Sequence, residues 1–373
     1  MALTQGQERC IRTLDRPLVV AAGAGSGKTF TLTQRIAHAL ETGAVDDIGR
    51  VCAITFTNKA AGELKARIKA ELRARGMAEQ ALKVDDAWIS TIHGMCARIL
   101  RAHAVELDLD PGFQMADSTF ANVLRDRAVE QVLVSAQAGM LDEEGDFAKA
   151  VEALFAEYPA RSTSFRGTSV ESMLHMLMGT AGSSPLGFEG LVMRPPSVNP
   201  AALVRTVLDA FDDLSAIASA QKPSKTREEW IAQVAEASAN VLRGMEEGHA
   251  GDVLWALRAL DGLPMPKRVG TADYRAQVAE VQKLYRSCVM ELRLAAAYPH
   301  LQTLVVLARC AQDLYARAKR VEGVLDNDDL LVMAYQAVSG LPELAEHYAD
   351  KFQLVMVDEF QDTDQMQVDM IKL

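Results

Sequence analysis

Two short segments near opposite ends of the chain constrain its fold more than anything between them: Ala22-Gly23-Ala24-Gly25-Ser26-Gly27-Lys28-Thr29 and Val355-Met356-Val357-Asp358-Glu359-Phe360-Gln361-Asp362-Thr363. The first follows an apolar run, Pro17 to Ala22, and precedes a stretch with Leu32, Ile36, Ala37 and Leu40 at helical spacing. Such a run reads as a buried parallel strand. Strand, glycine-rich turn and helix is the context in which a phosphate-binding loop works. Gly23, Gly25 and Gly27 let the backbone bend tightly and approach an anion with no Cβ in the way. Successive N–H groups and the positive end of the helix dipole then face that anion. Lys28 reaches toward β- and γ-phosphates, and the Thr29 hydroxyl is a magnesium ligand. Ala22 stands where the strict pattern has glycine, a difference of one methyl group. Ala22 through Thr29, with Phe30 directly after, are the candidate nucleotide-binding residues.

The second segment follows Phe352 to Val357, another buried-strand run. Acids at the carboxyl end of a parallel strand sit where open α/β sheets bind ligands. Asp358 is therefore the candidate to hold Mg²⁺ together with Thr29, and Glu359 the candidate to orient or deprotonate a water. The bland alternative is a solvated acid pair capping a helix that begins near Asp364. A phosphate-binding loop in the same chain favours the metal-and-water reading.

Between these ends the pattern changes character. Strand patterns at about 17–22, 50–56 and 87–91 alternate with helical ones, which predicts a parallel sheet. From Ser118 the spacing is helical only: 120–137, then near 144–157, 168–179, 200–220, 226–247, 250–260 and 272–297. Loops are expected at 179–185, 194–197 and 262–266, where Gly and Pro cluster. The expected fold class is α/β, a P-loop nucleotidase sheet formed by 1–117 and 300–373, with an all-α domain inserted over 118–299.

At this point the residues resemble the UvrD/Rep class of superfamily 1A DNA helicases, with a RecA-like domain 1A and a helical insertion 1B. The resemblance rests on Gly-Ala-Gly-Ser-Gly-Lys-Thr and Asp-Glu-Phe-Gln-Asp-Thr, and on further motifs in the family's order. Leu3-Thr4-Gln5-Gly6-Gln7 resembles the adenine-reading Q motif, which assigns that role to Gln7. Ala53-Ile54-Thr55-Phe56-Thr57-Asn58-Lys59-Ala60-Ala61 resembles motif Ia, and Ser90-Thr91-Ile92-His93-Gly94 resembles motif Ib. The segment Gly323 to Leu331 resembles the stretch before motif II. The resemblance implies DNA contacts at Thr55, Phe56, Thr57, Asn58, Thr91, His93 and Gly94. It adds Gln361 to Lys28, Asp358 and Glu359 as a catalytic residue that couples nucleotide state to DNA grip. Phe30-Thr31 after Gly-Lys-Thr, Ile92 and Cys96 in the motif Ib region, and the long insertion lean toward the AddA/RecB helicase-nuclease branch.

What the resemblance implies is an ATP- and Mg²⁺-dependent helicase moving 3′–5′ on single-stranded or junction DNA in repair or recombination, with an AddB/RecC-like protein for its partner. Family members continue into a second RecA-like domain that supplies arginine fingers. The chain stops ten residues after Thr363, so the expectation is an N-terminal portion that binds ATP and turns it over poorly or not at all. A non-catalytic DNA- or partner-binding module is the alternative, against which the intact Lys28, Thr29, Asp358 and Glu359 argue. A P-loop kinase for a small metabolite is a third, disfavoured by Asp-Glu-Phe-Gln-Asp-Thr.

Net charge is −11, which by itself speaks against nucleic acid. Its distribution does not: residues 1–110 carry 15 Lys+Arg against 13 Asp+Glu, and the rest of the chain 24 against 37. Lys59, Lys65, Arg67, Lys69, Arg73 and Arg75 mark a basic helix, either a solvated face or a phosphate contact. Phe56 is the candidate for base stacking. The five cysteines are scattered without a CxxC, and no apolar stretch approaches membrane-spanning length. With no signal peptide at the N-terminus, the expected location is the cytoplasm. Trp88, Trp230 and Trp255 are expected in cores, and Met173, Met176 and Met178 on a core-facing helix edge.

Overall fold

The computed structural model describes residues 3–23, 25–141, 145–162, 168–195, 200–220, 224–247, 257–258, 260 and 272–372. Ala24, His249, Trp255, the loop at 262–266 and most of the helix expected at 250–260 lie outside the described residues. In chain order the main elements are α1 (Gln5–Arg12), α2 (Lys28–Glu41), β1 (Val51–Thr55), α3 (Asn58–Ala74), β2 (Trp88–Thr91), α4 (Ile92–Ala102), β3 (Gln114–Met115) and α5 (Ser118–Gln137). They continue with α6 (Asp146–Glu157), α7 (Val170–Gly182), α8 (Pro200–Ser219), α9 (Lys225–Glu247), α10 (Ala272–Glu322), β4 (Val324–Leu325), α11 (Asn327–Gly340), α12 (Pro342–Lys351), β5 (Leu354–Val357) and α13 (Gln365–Lys372). Among the described residues no helix is long and apolar enough to cross a membrane.

The chain divides into two compact units, one of residues 1–127, 179–190 and 313–373, the other of 128–178 and 191–312. The first unit is built on a parallel sheet in the order β2-β1-β5. The central strand β1, Val-Cys-Ala-Ile-Thr, is buried at every position, as a strand covered on both faces must be. Its side chains alternate between two cores. Val51 and Ala53 join Ile36, Ile48, Leu64, Ile68, Leu72 and Ile89 under α2 and α3. Cys52 and Ile54 join Trp88, Met95, Ile99, Leu100, Leu330, Ala334 and Tyr348 under α4, α11 and α12. Trp88 sits at the start of β2 with its ring edge-on to Tyr348 and Phe352, and the Arg98 guanidinium lies 4.0 Å from its centroid.

The strand expected at 17–22 is not there. Residues 17–23 run without helix or strand, and Val19 and Val20 are 97% and 55% exposed. The apolar composition supplies the preference for a strand, but a parallel strand exists only as part of a ladder. Among the described residues β5 pairs with β1 alone and no strand pairs with 17–22, so this segment gains no ladder hydrogen bonds. Two helices not foreseen, α11 and α12, fill the stretch between the end of α10 and β5.

The regular structure of the second unit is all helix among its described residues. Phe211, Leu214, Trp230, Val234, Val241, Tyr285, Cys288 and Leu292 from α8, α9 and α10 form its main core. The helix expected to end near 297 instead runs unbroken through Pro299 to Glu322. Of the three methionines expected on a core edge, Met178 is buried and Met173 half-buried, but Met176 is 64% exposed. A helix turns 100° per residue, so positions 173, 176 and 178 cannot all share one narrow stripe.

Candidate functional site

The carboxyl end of the sheet collects the residues that the two motif segments singled out. Parallel register sets Thr55 of β1 opposite Thr91 of β2 and Ile54 opposite Val357 of β5. One residue beyond, the Asp358 amide donates to the Ile54 carbonyl at 2.8 Å. The acid pair therefore leaves the sheet beside the ends of β1 and β2.

Lys28 reaches this edge from the other side. It opens α2, whose N-cap Gly27 has φ +83° and no capping side chain. Gly25 also lies in the left-handed region, at φ +77°. Only glycine adopts such angles without steric cost. The loop is tight as well: the Ser26 amide and hydroxyl both donate to the Gly23 carbonyl, at 3.3 and 2.8 Å. A Cβ at Gly27 would lie 3.1 Å from the Gln7 side-chain nitrogen. The Lys28 ammonium meets the Glu359 carboxylate at 2.6 Å, across 331 residues of sequence. The bond and the charge of Glu359 raise the Lys28 pKa, and the same bond, with one from Gln361, lowers that of Glu359. A third of each side chain is exposed, so water screens the pair.

Glu359 itself has φ +53°, a left-handed conformation uncommon outside glycine and concentrated at functional sites. Its second carboxylate oxygen accepts from Gln361 Nε2, which also lies 3.4 Å from Asp362. Asp358 is half-buried, with one oxygen accepting from the Glu359 amide at 3.0 Å. Its other oxygen and the Thr29 hydroxyl make no hydrogen bond among the described residues. A glycine-rich loop with a lysine, a hydroxyl and a half-buried carboxylate is the donor set a phosphate-bound divalent cation takes. The residues present fit Mg²⁺ and a nucleoside triphosphate.

Gln7 is engaged within the protein. Its side-chain oxygen accepts from the Thr4 amide at 3.0 Å in a capping box, and its nitrogen donates to the Ser26 carbonyl at 3.1 Å. It thus ties α1 to the phosphate-binding loop. Ala22 and Gly23 lie in the unpaired segment before the loop. The Phe30 side chain, 44% exposed, lines a groove of about 380 Å³ with Gln34, Arg67 and Glu71.

The candidate DNA residues occupy the carboxyl ends of β1 and β2 and the starts of α3 and α4, where most of them also serve the backbone. Thr55 is buried and donates to the Thr57 carbonyl at 3.2 Å. Thr57 caps α3 and Thr91 caps α4. Asn58 Oδ1 lies 3.5 Å from the Thr91 hydroxyl, joining the two loops. A Cβ at Gly94 would press on Ser90 and Thr91 at 3.2 and 3.3 Å. Phe56 stands out from the strand end, 69% exposed. His93 is half-buried; burial lowers its pKa, offset in part by the charges of Asp328 and Asp364.

The basic helix divides. Lys65 donates to the Asp85 carbonyl and Lys69 to its carboxylate, at 2.9 and 2.6 Å. Arg75 is fixed by Glu41, Glu71 and Gln34. These three cations hold α3 to its neighbours. Lys59, Arg67 and Arg73 are its exposed cations, free of such bonds among the described residues.

Sequence reasoning missed a buried polar cluster near His93. Asp326 accepts from Tyr315 at 2.6 Å, from Lys319 at 2.9 Å and from the Asp329 amide at 2.9 Å, while Lys319 also meets Asp329 at 2.5 Å. The signal was present: Asp326 and Asp329 are spaced as a capping box at the head of α11.

Comparison with known proteins bears on this geometry as a whole. A family model described as the UvrD/REP helicase N-terminal domain matches residues 3–373. The chain is 29% identical over 427 aligned residues to the AddA protein of the ATP-dependent helicase/nuclease of Geobacillus thermodenitrificans, covering 99% of this chain and 33% of that protein. It is 27% identical to the protein of the same name from Desulforudis audaxviator, over 99% and 34% of the two chains. The chain spans about one third of the length of these curated relatives. Their name is that of the AddA branch, toward which the insertion and Phe30 lean. By a match across nearly its whole length, the chain belongs to the UvrD/REP helicase N-terminal domain family.

Proposed function

We propose that this chain is the nucleotide-binding part of an ATP-dependent DNA helicase acting in repair or recombination. The observation that carries the reading is the 2.6 Å contact between Lys28 and Glu359, which joins the phosphate-binding loop to the acid pair at one end of a parallel sheet. In this reading the unit built on the sheet is a RecA-like domain 1A, and the helical unit is domain 1B, a scaffold beside the DNA path. ATP with Mg²⁺ supplies the phosphoryl chemistry when bound. The loop amides and Lys28 hold the phosphates, Thr29 and Asp358 hold the metal, and Glu359 takes the proton of the attacking water. Gln361, bonded to Glu359, senses the state of that carboxylate. Thr57, Asn58 and His93 contact strand phosphates, and Phe56 stacks on a base. By family resemblance the motion is 3′–5′ and the partner an AddB-like protein.

The test is Mg²⁺-dependent ATP binding by calorimetry on the unsubstituted chain and Lys28→Ala, with and without single-stranded DNA. Binding lost with the lysine, and changed by DNA, is expected. Equal binding by both proteins sinks the assignment of the site.

A further inference from the structure

Hydrogen bonds hold α1 at two places, one to the phosphate-binding loop and one to an arginine of α2. At the loop, Gln7 Nε2 donates to the Ser26 carbonyl at 3.1 Å. At the other end of α1, Arg35 donates through Nη1 to the Cys10 carbonyl and, at 2.6 Å, to the carbonyl of Thr13, the residue that closes the helix. Arg35 is half-buried, and no carboxylate pairs with it among the described residues. Its cation is met by carbonyls at the negative end of a helix dipole. Burial lowers its pKa, yet a guanidinium keeps its charge and its donors. Arg35 stands about two turns beyond Lys28 on α2 and close to the same face. α1 is therefore a short rod along α2, fastened at its far end by Arg35 and touching the loop with its near end.

The Ser26 carbonyl belongs to the peptide plane that joins Ser26 to Gly27. No peptide bond here is cis, and in a trans peptide the C=O and the N–H point in opposite directions. Fixing the carbonyl on Gln7 therefore aims the Gly27 amide away from α1. Gly25 and Gly27 both lie at positive φ, at +77° and +83°. Glycines put no side chain in the way of a turning peptide, so a bond from outside the loop is what sets its direction.

We propose that Arg35 is a positioning residue of the nucleotide site: through α1 and Gln7 it sets the direction of the Gly27 amide, and with it the readiness of the loop for a polyphosphate. The proposal rests on the nucleotide site assigned above and adds to it a residue whose own donors are spent on α1. The polyphosphate and not the base is what this chain of contacts serves, since the Gln7 bond ends on the loop backbone.

The experiment has two arms. Hydrogen exchange of residues 25–30 in nucleotide-free protein, read by mass spectrometry, reports loop order with no ligand present. Calorimetry with Mg-ATP and with Mg-tripolyphosphate, which has no base, reports binding. Arg35→Met keeps the length of the side chain and removes its donors. It is expected to speed exchange in the loop and to weaken both ligands by the same factor, roughly 2- to 10-fold, the worth of one hydrogen bond. Gln7→Leu is expected to do likewise, and the double variant to lose no more than the larger single loss. Arg35→Lys, which keeps a donor, is expected to recover part of both. Arg75→Gln loosens the far end of α2, where Arg75 holds Gln34 and Glu41. It is the control for general stability, expected to lower the melting temperature with loop exchange and both affinities unchanged. Should Arg35→Met not fold, Arg35→Gln carries the same comparison. Unchanged loop exchange overturns the proposal, and so do unchanged affinities in a protein that binds. Losses that add in the double variant overturn it, as does an equal effect from Arg75→Gln or a loss confined to Mg-ATP. If the unsubstituted protein binds neither ligand, the proposed function fails, and the positioning role stands or falls on loop exchange alone.

Discussion

The buried cluster at the head of α11 offers the sharpest test of what holds the sheet-bearing unit together. Asp326 is 6% exposed and Lys319 4%. Burial pulls the Asp326 carboxyl up, but the Lys319 charge, the Tyr315 hydroxyl and the Asp329 amide pull it further down, and it ends below the usual carboxylate range. Asp329 moves the other way, raised by its own burial and by the Asp326 charge, against the pull of Lys319. One ammonium thus serves two carboxylates, with Asp326 shifted toward its charged form and Asp329 away from it.

Asp326→Ala removes the acceptor for three donors at once. The cap of α11 is lost, about 1 kcal/mol. The Tyr315 hydroxyl, on a residue 1% exposed, is left without an acceptor, about 1–3 kcal/mol. Lys319 keeps Asp329 but loses half its compensation. The sum agrees with the roughly 3–5 kcal/mol expected on breaking a buried ion pair. For a unit of this size that lowers the melting temperature by roughly 6–20 °C. Asp326→Asn keeps an oxygen for the cap and loses the charge, so its loss falls to roughly half. The assay is urea and thermal unfolding followed by Trp88 fluorescence, with Trp230 and Trp255 replaced by Phe, so that the signal comes from the sheet-bearing unit. A loss under about 0.5 kcal/mol for Asp326→Ala, the level of an ordinary surface change, would refute the argument that this network is stabilising.

Three further outcomes follow from the site. Gly27→Ala forces a side chain into φ +83° and toward Gln7 at 3.1 Å; the left-handed cost of about 1–2 kcal/mol should weaken ATP binding about 5- to 30-fold in calorimetry, with the far-ultraviolet spectrum unchanged. Phe56→Ala removes a side chain that is 69% exposed, so stability should hold while single-strand affinity, read by fluorescence anisotropy, falls by about 1–3 kcal/mol, the worth of one stacked base. His93 has its pKa lowered by burial from the ordinary 6.5. A depressed folded value means that the unfolded chain takes the proton first, so stability is lost as pH falls below about 6.5. The melting temperature of His93→Gln should decline less between pH 7 and 5 than that of the parent; equal declines would count against the burial.

How much of this is legible in the sequence depends on the range of the forces involved. The ends of β1 and β2, the start of α2 and the acid pair after β5 are readable, because turn chemistry and apolar runs are local. The segment 17–22 is not: Leu18, Val19 and Val20 have strand preference, yet pairing is a property of the neighbour, and none is present among the described residues. The extent of α10 escapes a local reading because Pro299 resembles a breaker, although packing of Leu304, Leu307 and Ala311 holds the turns that follow it. The basic helix looks like one face in the sequence. Asp85 and Glu41 claim half of it, and those partners lie 16 and 34 residues away from the cations they bind. Long-range pairing of this kind leaves no periodic trace.

The same geometry explains why the site cannot be mapped by alanine substitution alone. Thr57 and Thr91 are candidate DNA contacts and also the caps of α3 and α4, so removing either hydroxyl costs about 1 kcal/mol of helix stability before any strand is bound. Asn58 meets the Thr91 hydroxyl, which makes the two loops one structural element whose losses need not add. The shared strand extends this to the nucleotide side: Ile54, which carries Asp358 on its carbonyl, is followed directly by Thr55, the register partner of Thr91. The acid pair and the segments that carry the candidate DNA contacts are therefore joined by backbone hydrogen bonds of a fully buried strand. Coupling between nucleotide and strand should accordingly survive conservative changes in the loops, such as Thr91→Ser, and vanish with changes that loosen β1.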